Sequence, residues 1–302
     1  MTAKFDVDNL QAQDKQAGQL ARRYIGGIAY PTIALLLLSY SGFIATLILF
    51  SQGLLATLPT IALIAVFTYF AYTPLHEAVH GNIHGGKQTL RWLNELCGYF
   101  GAQLIAVAYT SHRFEHFDHH RNTNIADKDP DYLVSQFSQG FIASIAVAFR
   151  FLCLQNLYLV KNYWTKLAPR QKAIYCTELA VMVLWRLTLI AWFVADGVSI
   201  AAALAIVLLG YFIGAYFTVY WFAYRPHHPY EKQERYLNTA SLLLPRPLRF
   251  LEWFWLGQNL HSIHHLYPRV PFYRYRALHH EIDSILRAHG TPIIGMFNRK
   301  SL

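Results

Sequence analysis

Residues 112–120 contain four histidines, and two distant stretches carry clusters of the same kind. On a helix of about 3.6 residues per turn, His116, His119 and His120 fall within roughly 100° of arc, so their imidazoles can converge on one point. His261, His264 and His265 repeat that spacing. His76 and His80 stand at i and i+4, with His84 one turn further on. For the three clusters to act together, the chain must return to one place three times. That requirement limits how everything between them can run.

What runs between them is apolar. The 302 residues are 54% hydrophobic and 14% charged, whereas ordinary soluble domains carry about 25% charged residues. Runs at 28–50, 54–72, 173–194 and 199–224 each reach the length of about 20 residues that spans a bilayer. The tight turns at 51–53 and 195–198 lack Lys and Arg, while the opposite flanks carry them. By the positive-inside rule, both termini and all histidine clusters are expected in the cytoplasm. Two hairpins then bring the chain back just before His76 and just before His227.

Segments 90–109 and 137–158 are interrupted, the first by Asn94, Glu95, Gly98, Gly101 and Gln103, the second by Arg150 and Gln155. They read as half-inserted or interfacial helices. Pro74 is a candidate bend or end of the second span. Arg186 falls in mid-span, where a charge costs from about 3 to over 10 kcal/mol, so it must face protein. Residues 1–27 form a polar cytoplasmic segment, either a short interfacial helix or loose, with no signal-peptide pattern. Residues 28–302 read as one membrane-embedded domain. The expected fold is thus an all-α integral membrane protein with four transmembrane helices in two hairpins, interfacial helices and a cytoplasmic histidine-rich cap.

The formal net charge of +9 flanks apolar runs, which suits membrane orientation, anionic headgroups or an acidic protein partner rather than nucleic acid. Cys97, Cys153 and Cys176 are isolated and read as small apolar filler.

Neutral imidazole is the commonest protein ligand for borderline metals. About nine imidazoles are too many for one zinc, which takes four ligands. They suit two metals of higher coordination number, and iron can also take dioxygen. Ligand imidazoles commonly donate their other N–H to a carboxylate. Among Glu115, Asp118, Asp127, Asp129 and Asp131, that role is expected of Asp129 and Asp131. Asn259, two residues before His261, is a further candidate partner. His112 is either such a support or a surface residue. His279, His280 and His289 read as solvated.

The three clusters resemble the HxxxH, HxxHH and HxxHH boxes of the fatty acid desaturase superfamily of membrane di-iron enzymes, matching His76/His80, His116/His119/His120 and His261/His264/His265. Within it the chain looks most like the desaturase-type carotenoid β-ring hydroxylases. The matching stretches are residues 76–84, Asp129-Pro130-Asp131, Pro226-His227-His228-Pro229-Tyr230 and residues 256–275. The resemblance implies His227 as a ninth ligand and gives His84 a match as a supporting residue. It departs at His228, where the related hydroxylases have Arg. It further implies two ferrous ions, dioxygen as co-substrate, and hydroxylation of a carotenoid or other lipid. The chain carries no haem or flavin motif, so electrons must come from a separate donor, a ferredoxin with its reductase. The expected location is a bacterial inner membrane. Rival readings are a fatty acyl-lipid desaturase and, outside enzymes, a metal transporter.

Overall fold

The computed structural model describes residues 2–301. Helix α1 is Thr2–Arg22, α2 Tyr30–Ser51, α3 Thr57–Val79, α4 Arg91–Ile105, α5 Tyr109–Asn122, α6 Phe141–Asn162 and α7 Pro169–Ala195. A long helix α8, Ile200–His227, contains π turns at Ala205–Leu209 and Val219–Tyr224. Short helices follow: α9 His261–Leu266, α10 Tyr275–Glu281 and α11 Asp283–Ala288. Two longer 3-10 stretches, Pro130–Gln139 and Arg246–Trp255, lie among them.

Helices α2 and α3 form the first hairpin. Pro31 sits in the first turn of α2, where its missing N–H has no helical partner to lose. Gly53 closes the turn at φ 72°, a conformation open to glycine because it has no Cβ to clash. Pro74 lies inside α3 without ending it, so the helix continues through His76.

Helix α3 is the hub, packed against α2, α4 and α8. Small residues let the backbones approach. A Cβ on Gly101 of α4 would meet Leu75 N at 2.9 Å, and one on Gly214 of α8 would meet Ala65 O at 2.5 Å. Asn94 of α4 donates to Ala78 O at 2.8 Å. With 15 residues, α4 extends about 22 Å, short of the roughly 30 Å hydrocarbon core. Arg186 of α7 donates to Gln103 O at 2.8 Å and Met182 O at 3.0 Å, with its guanidinium over the Tyr211 and Trp185 rings. The mid-span charge therefore faces protein.

Several features differ from the sequence expectation. Among the described residues five helices, not four, are long and apolar enough to cross a membrane by length and composition, and the additional one is α6. The two polar residues that broke its pattern point different ways. Arg150 is exposed, while Gln155 is buried against α5. The architecture is all-helical as expected, with one short addition, in which Ser241–Leu243 and Ile293–Gly295 pair as parallel strands β1 and β2. Three residues are too few to show a strand period. Helix α1 is neither loose nor a bare interfacial segment. Ala17 and Ala21 are buried in a cluster with Leu278, Ile282 and Ile285 of the C-terminal part, and Asp14 accepts from Tyr236 at 2.6 Å. Cys97 is buried, but Cys153 and Cys176 are exposed on α6 and α7.

Candidate metal centre

Helices α3 and α8 end at the same place. His76 lies in the last turn of α3, His80 follows that helix directly, and His227 is the last residue of α8. Helix α5 brings His116, His119 and His120, and α9 brings His261, His264 and His265. Their rings meet through Nε2. On one flank the separations are 3.0 Å for His80–His116, 3.1 Å for His116–His120, 2.9 Å for His120–His264 and 3.0 Å for His264–His76. On the other they are 3.4 Å for His119–His265 and 3.1 Å for His261–His227.

Ligand atoms of His76, His80, His116 and His264 lie within 4.8 Å of one another, as do those of His119, His227 and His265. His120, His264 and His265 form a third such group that joins the two. Nitrogens on adjacent corners of an octahedron lie about 3 Å apart when the metal–nitrogen bonds are about 2.1 Å. The observed spacing fits that geometry. The protonation states fit too. Burial, then neighbouring imidazoles, hold His116, His120, His264 and His265 well below the usual histidine range. Burial lowers His261 to about 3. Neutral imidazole is the form that binds metal. His119 differs: burial opposes its charge, but the Asp129 and Asp131 carboxylates outweigh that and carry it up to about 9.

On His119, His264 and His227 the far nitrogen is held by another residue. His119 Nδ1 lies 2.8 Å from Asp129 Oδ1 and 3.8 Å from Asp131 Oδ2. His264 Nδ1 lies 3.1 Å from the Tyr275 hydroxyl. His227 Nδ1 lies 3.2 Å from Asn124 Oδ1. Asn124 is fixed in turn, its amide NH2 donating to Lys232 O and Asn238 O at 2.7 and 2.8 Å. With its donors so used, the amide oxygen is the atom left for His227. Such contacts select the tautomer that presents Nε2 to the cluster.

The other candidates are placed as follows. His112 is buried beside the cluster, its Nδ1 3.1 Å from Glu115 and 3.0 Å from Gln155. Burial, eased by bonds from Asp131 and Gln155, pushes the Glu115 carboxyl up to about 7, and burial with the nearby Glu115 charge drives Asp131 well upward. Asp118 turns away, to Tyr158 at 2.9 Å and Arg121 at 2.8 Å. His84 is buried but belongs to none of the imidazole groups. Asn259 donates to Leu242 O at 3.0 Å and fastens β1 instead of contacting an imidazole. His279 is buried, contrary to the solvated reading, because α10 turns it inward beneath Arg276 and His280. His289 is half-buried and stacks on Tyr236 at 3.8 Å.

Four supporting residues escaped the sequence reading: Glu77, Asn82, Asn124 and Tyr275. Glu77 is buried, and Asn82 and the Phe272 amide donate to it at 3.3 Å each. Asn82 also donates to Pro268 O at 3.0 Å, so the end of α3 is fastened to the loop after α9. Adjacency offered a signal for two of them, since Glu77 follows His76 and Asn124 lies four residues after His120.

No curated protein matches the chain. A family model, Fatty acid desaturase, matches residues 52–296, a span that includes every residue of the imidazole groups. On that match, which extends over most of its length, the chain belongs to the fatty acid desaturase family of membrane oxidoreductases acting on lipids.

Proposed function

We propose that the chain is a di-iron enzyme that uses dioxygen to hydroxylate the ring of a carotenoid-type lipid. The observation that carries the metal reading is the pair of linked imidazole groups with nitrogens about 3 Å apart, the spacing of adjacent octahedral ligands. His76, His80, His116 and His264 would hold one ion, and His119, His227 and His265 the other, with His120 and His261 beside them. Two iron ions held there would supply the activation of dioxygen that attack on an unactivated C–H requires. Asp129, Asn124 and Tyr275 orient the rings, and the buried helix ends keep water out.

An apolar groove of about 380 Å³ between α3 and α8 offers a seat for a rigid polyene, with Phe217, Trp221 and Trp255 facing Tyr69 and Phe70. The nearby Tyr220 and Trp253 do not line it. The resemblance through Pro226-His227-His228-Pro229-Tyr230 favours the ring hydroxylase. The family match favours a second reading, a fatty acyl-lipid desaturase on the same centre. It also favours either enzyme over a metal transporter. The absence of a haem or flavin motif in the sequence supports an external electron donor, a ferredoxin with its reductase. The +9 net charge would attract an acidic donor.

Parity supports four crossings. His76 ends α3, His227 ends α8, and both reach one cluster, so the chain between them crosses an even number of times. Helices α7 and α8 supply two crossings. Helix α6, though long enough, then lies along the interface, carrying the α5 contacts at Gln155. Cysteines placed at Ser51 or Gly197 should react with a membrane-impermeant thiol reagent from the periplasmic side, and one at Lys128 should not. Labelling at Lys128 from that side would overturn the cytoplasmic assembly.

Expression in a bacterial host that makes β-carotene, with an electron donor supplied, tests the reaction. Ring-hydroxylated pigments with unchanged fatty acids are the expected result. New unsaturated fatty acids with unchanged pigment would select the desaturase reading instead.

A further inference from the structure

Away from the histidines, the 3-10 stretch Arg246–Trp255 has two distinct sides. At about three residues per turn, Arg246, Arg249 and Glu252 align in one row. The other rows expose Phe250 and Trp253, and Leu248 and Phe254, at 43–67%. Exposed aromatics on one side and arginines on the other suit a segment lying in a membrane interface.

The arginine row borders a cavity of about 420 Å³, closed on its far side by Arg276, His279 and Arg287. Two carboxylates also reach it, but both are paired. Glu252 is buried and bonded by Arg276 and by the Leu244 amide at 2.8 Å, and Asp283 accepts from Arg287 at 2.8 Å. Arg246 and Arg249 are thus the excess positive charge. His279 is 8% exposed, and its Nε2 has no hydrogen-bond partner among the described residues. A buried ring nitrogen without a partner, beside excess guanidinium charge, marks a site for an anion with several acceptor oxygens.

We propose that this cavity binds the phosphate of an anionic phospholipid headgroup, with Arg246, Arg249 and His279 as its donors. A phosphate oxygen can accept from the His279 ring while its partners take the planar guanidinium N–H groups. The lipid source follows from the wall of the site. The residues that alternate with Arg246 and Arg249 are the ones that expose aromatic and aliphatic side chains, so the cavity opens at headgroup depth. This assignment does not depend on the reaction proposed above.

The test uses the full-length, iron-loaded protein in nanodiscs of equal phosphatidylglycerol and phosphatidylcholine. Lipid retained after detergent extraction is measured by mass spectrometry. The double variant Arg246→Gln, Arg249→Gln should lower the preference for phosphatidylglycerol about thirtyfold, the weight of two arginines at a charged membrane surface. It leaves the Glu252–Arg276 pair intact. His279→Gln should weaken the preference to a lesser degree, and Arg150→Gln, an exposed arginine on α6, should leave it unchanged. Equal preference in the double variant and the parent would overturn the site. Displacement of the retained lipid by millimolar inorganic phosphate would show a site for free phosphate and overturn the lipid assignment.

Discussion

His264→Ala should reduce turnover to background and strip metal first from the half of the centre built with His76, His80 and His116, whereas His289→Gln should do neither. His264 Nε2 lies 3.0 Å from that of His76 and 2.9 Å from that of His120. It belongs both to the group with His76, His80 and His116 and to the group with His120 and His265. Alanine removes a ring from that half and breaks its link, through His120 and His265, to the half with His119 and His227. It also releases the Tyr275 hydroxyl, which no longer has Nδ1 as a partner. His119→Ala should be equally inactive but lose metal first from the other half, the group with His227 and His265. His289 stacks on Tyr236, outside every imidazole group. Metal content by mass spectrometry and turnover with a supplied electron donor read both effects. Full activity in His264→Ala would remove the third cluster from the centre.

The histidines were legible because their spacing is local. A helix turns i, i+3 and i+4 to one side whatever surrounds it, so three short sequence patterns announced three faces. The long apolar runs were legible for a similar reason, since bilayer thickness sets a length that composition can meet. Tertiary contacts decided the rest. Asn124 serves His227 only because its amide is held by carbonyls of Lys232 and Asn238, more than 100 residues later. His279 looked solvated because its neighbours Arg276 and His280 are, and a seven-residue helix can bury one side beneath a charged exterior. In Asn259 the side chain found a backbone carbonyl of β1, a strand too short to anticipate. Helix α6 shows the limit of hydropathy itself. Its composition permits a crossing, and the convergence of His76 and His227, with the interruptions at Arg150 and Gln155, argues against one.

Asp129→Asn should remove metal selectively from the half of the centre built by His119, His227 and His265. Asp129 Oδ1 lies 2.8 Å from His119 Nδ1 and accepts from the Asp131 amide at 2.9 Å, while Oδ2 accepts from the Asn124 amide at 2.7 Å. An asparagine has one acceptor in place of two. If its oxygen keeps His119 and Asp131, its NH2 faces the N–H of Asn124, donor to donor. If it turns over, the NH2 faces the two donors on the other side. Either choice leaves a buried donor unsatisfied, at about 1–3 kcal/mol. The first choice keeps His119 but loosens Asn124, and with it the contact that orients His227. The second frees His119 directly. Both routes strike the same imidazole group, and loss of such support costs about 10–100-fold in metal affinity. His76, His80 and His116 have no contact with Asp129 among their hydrogen bonds. Iron content should therefore fall from about two towards one per chain as chelator is added, with turnover lost at the same step. Loss of both irons together would show that the two groups do not bind independently.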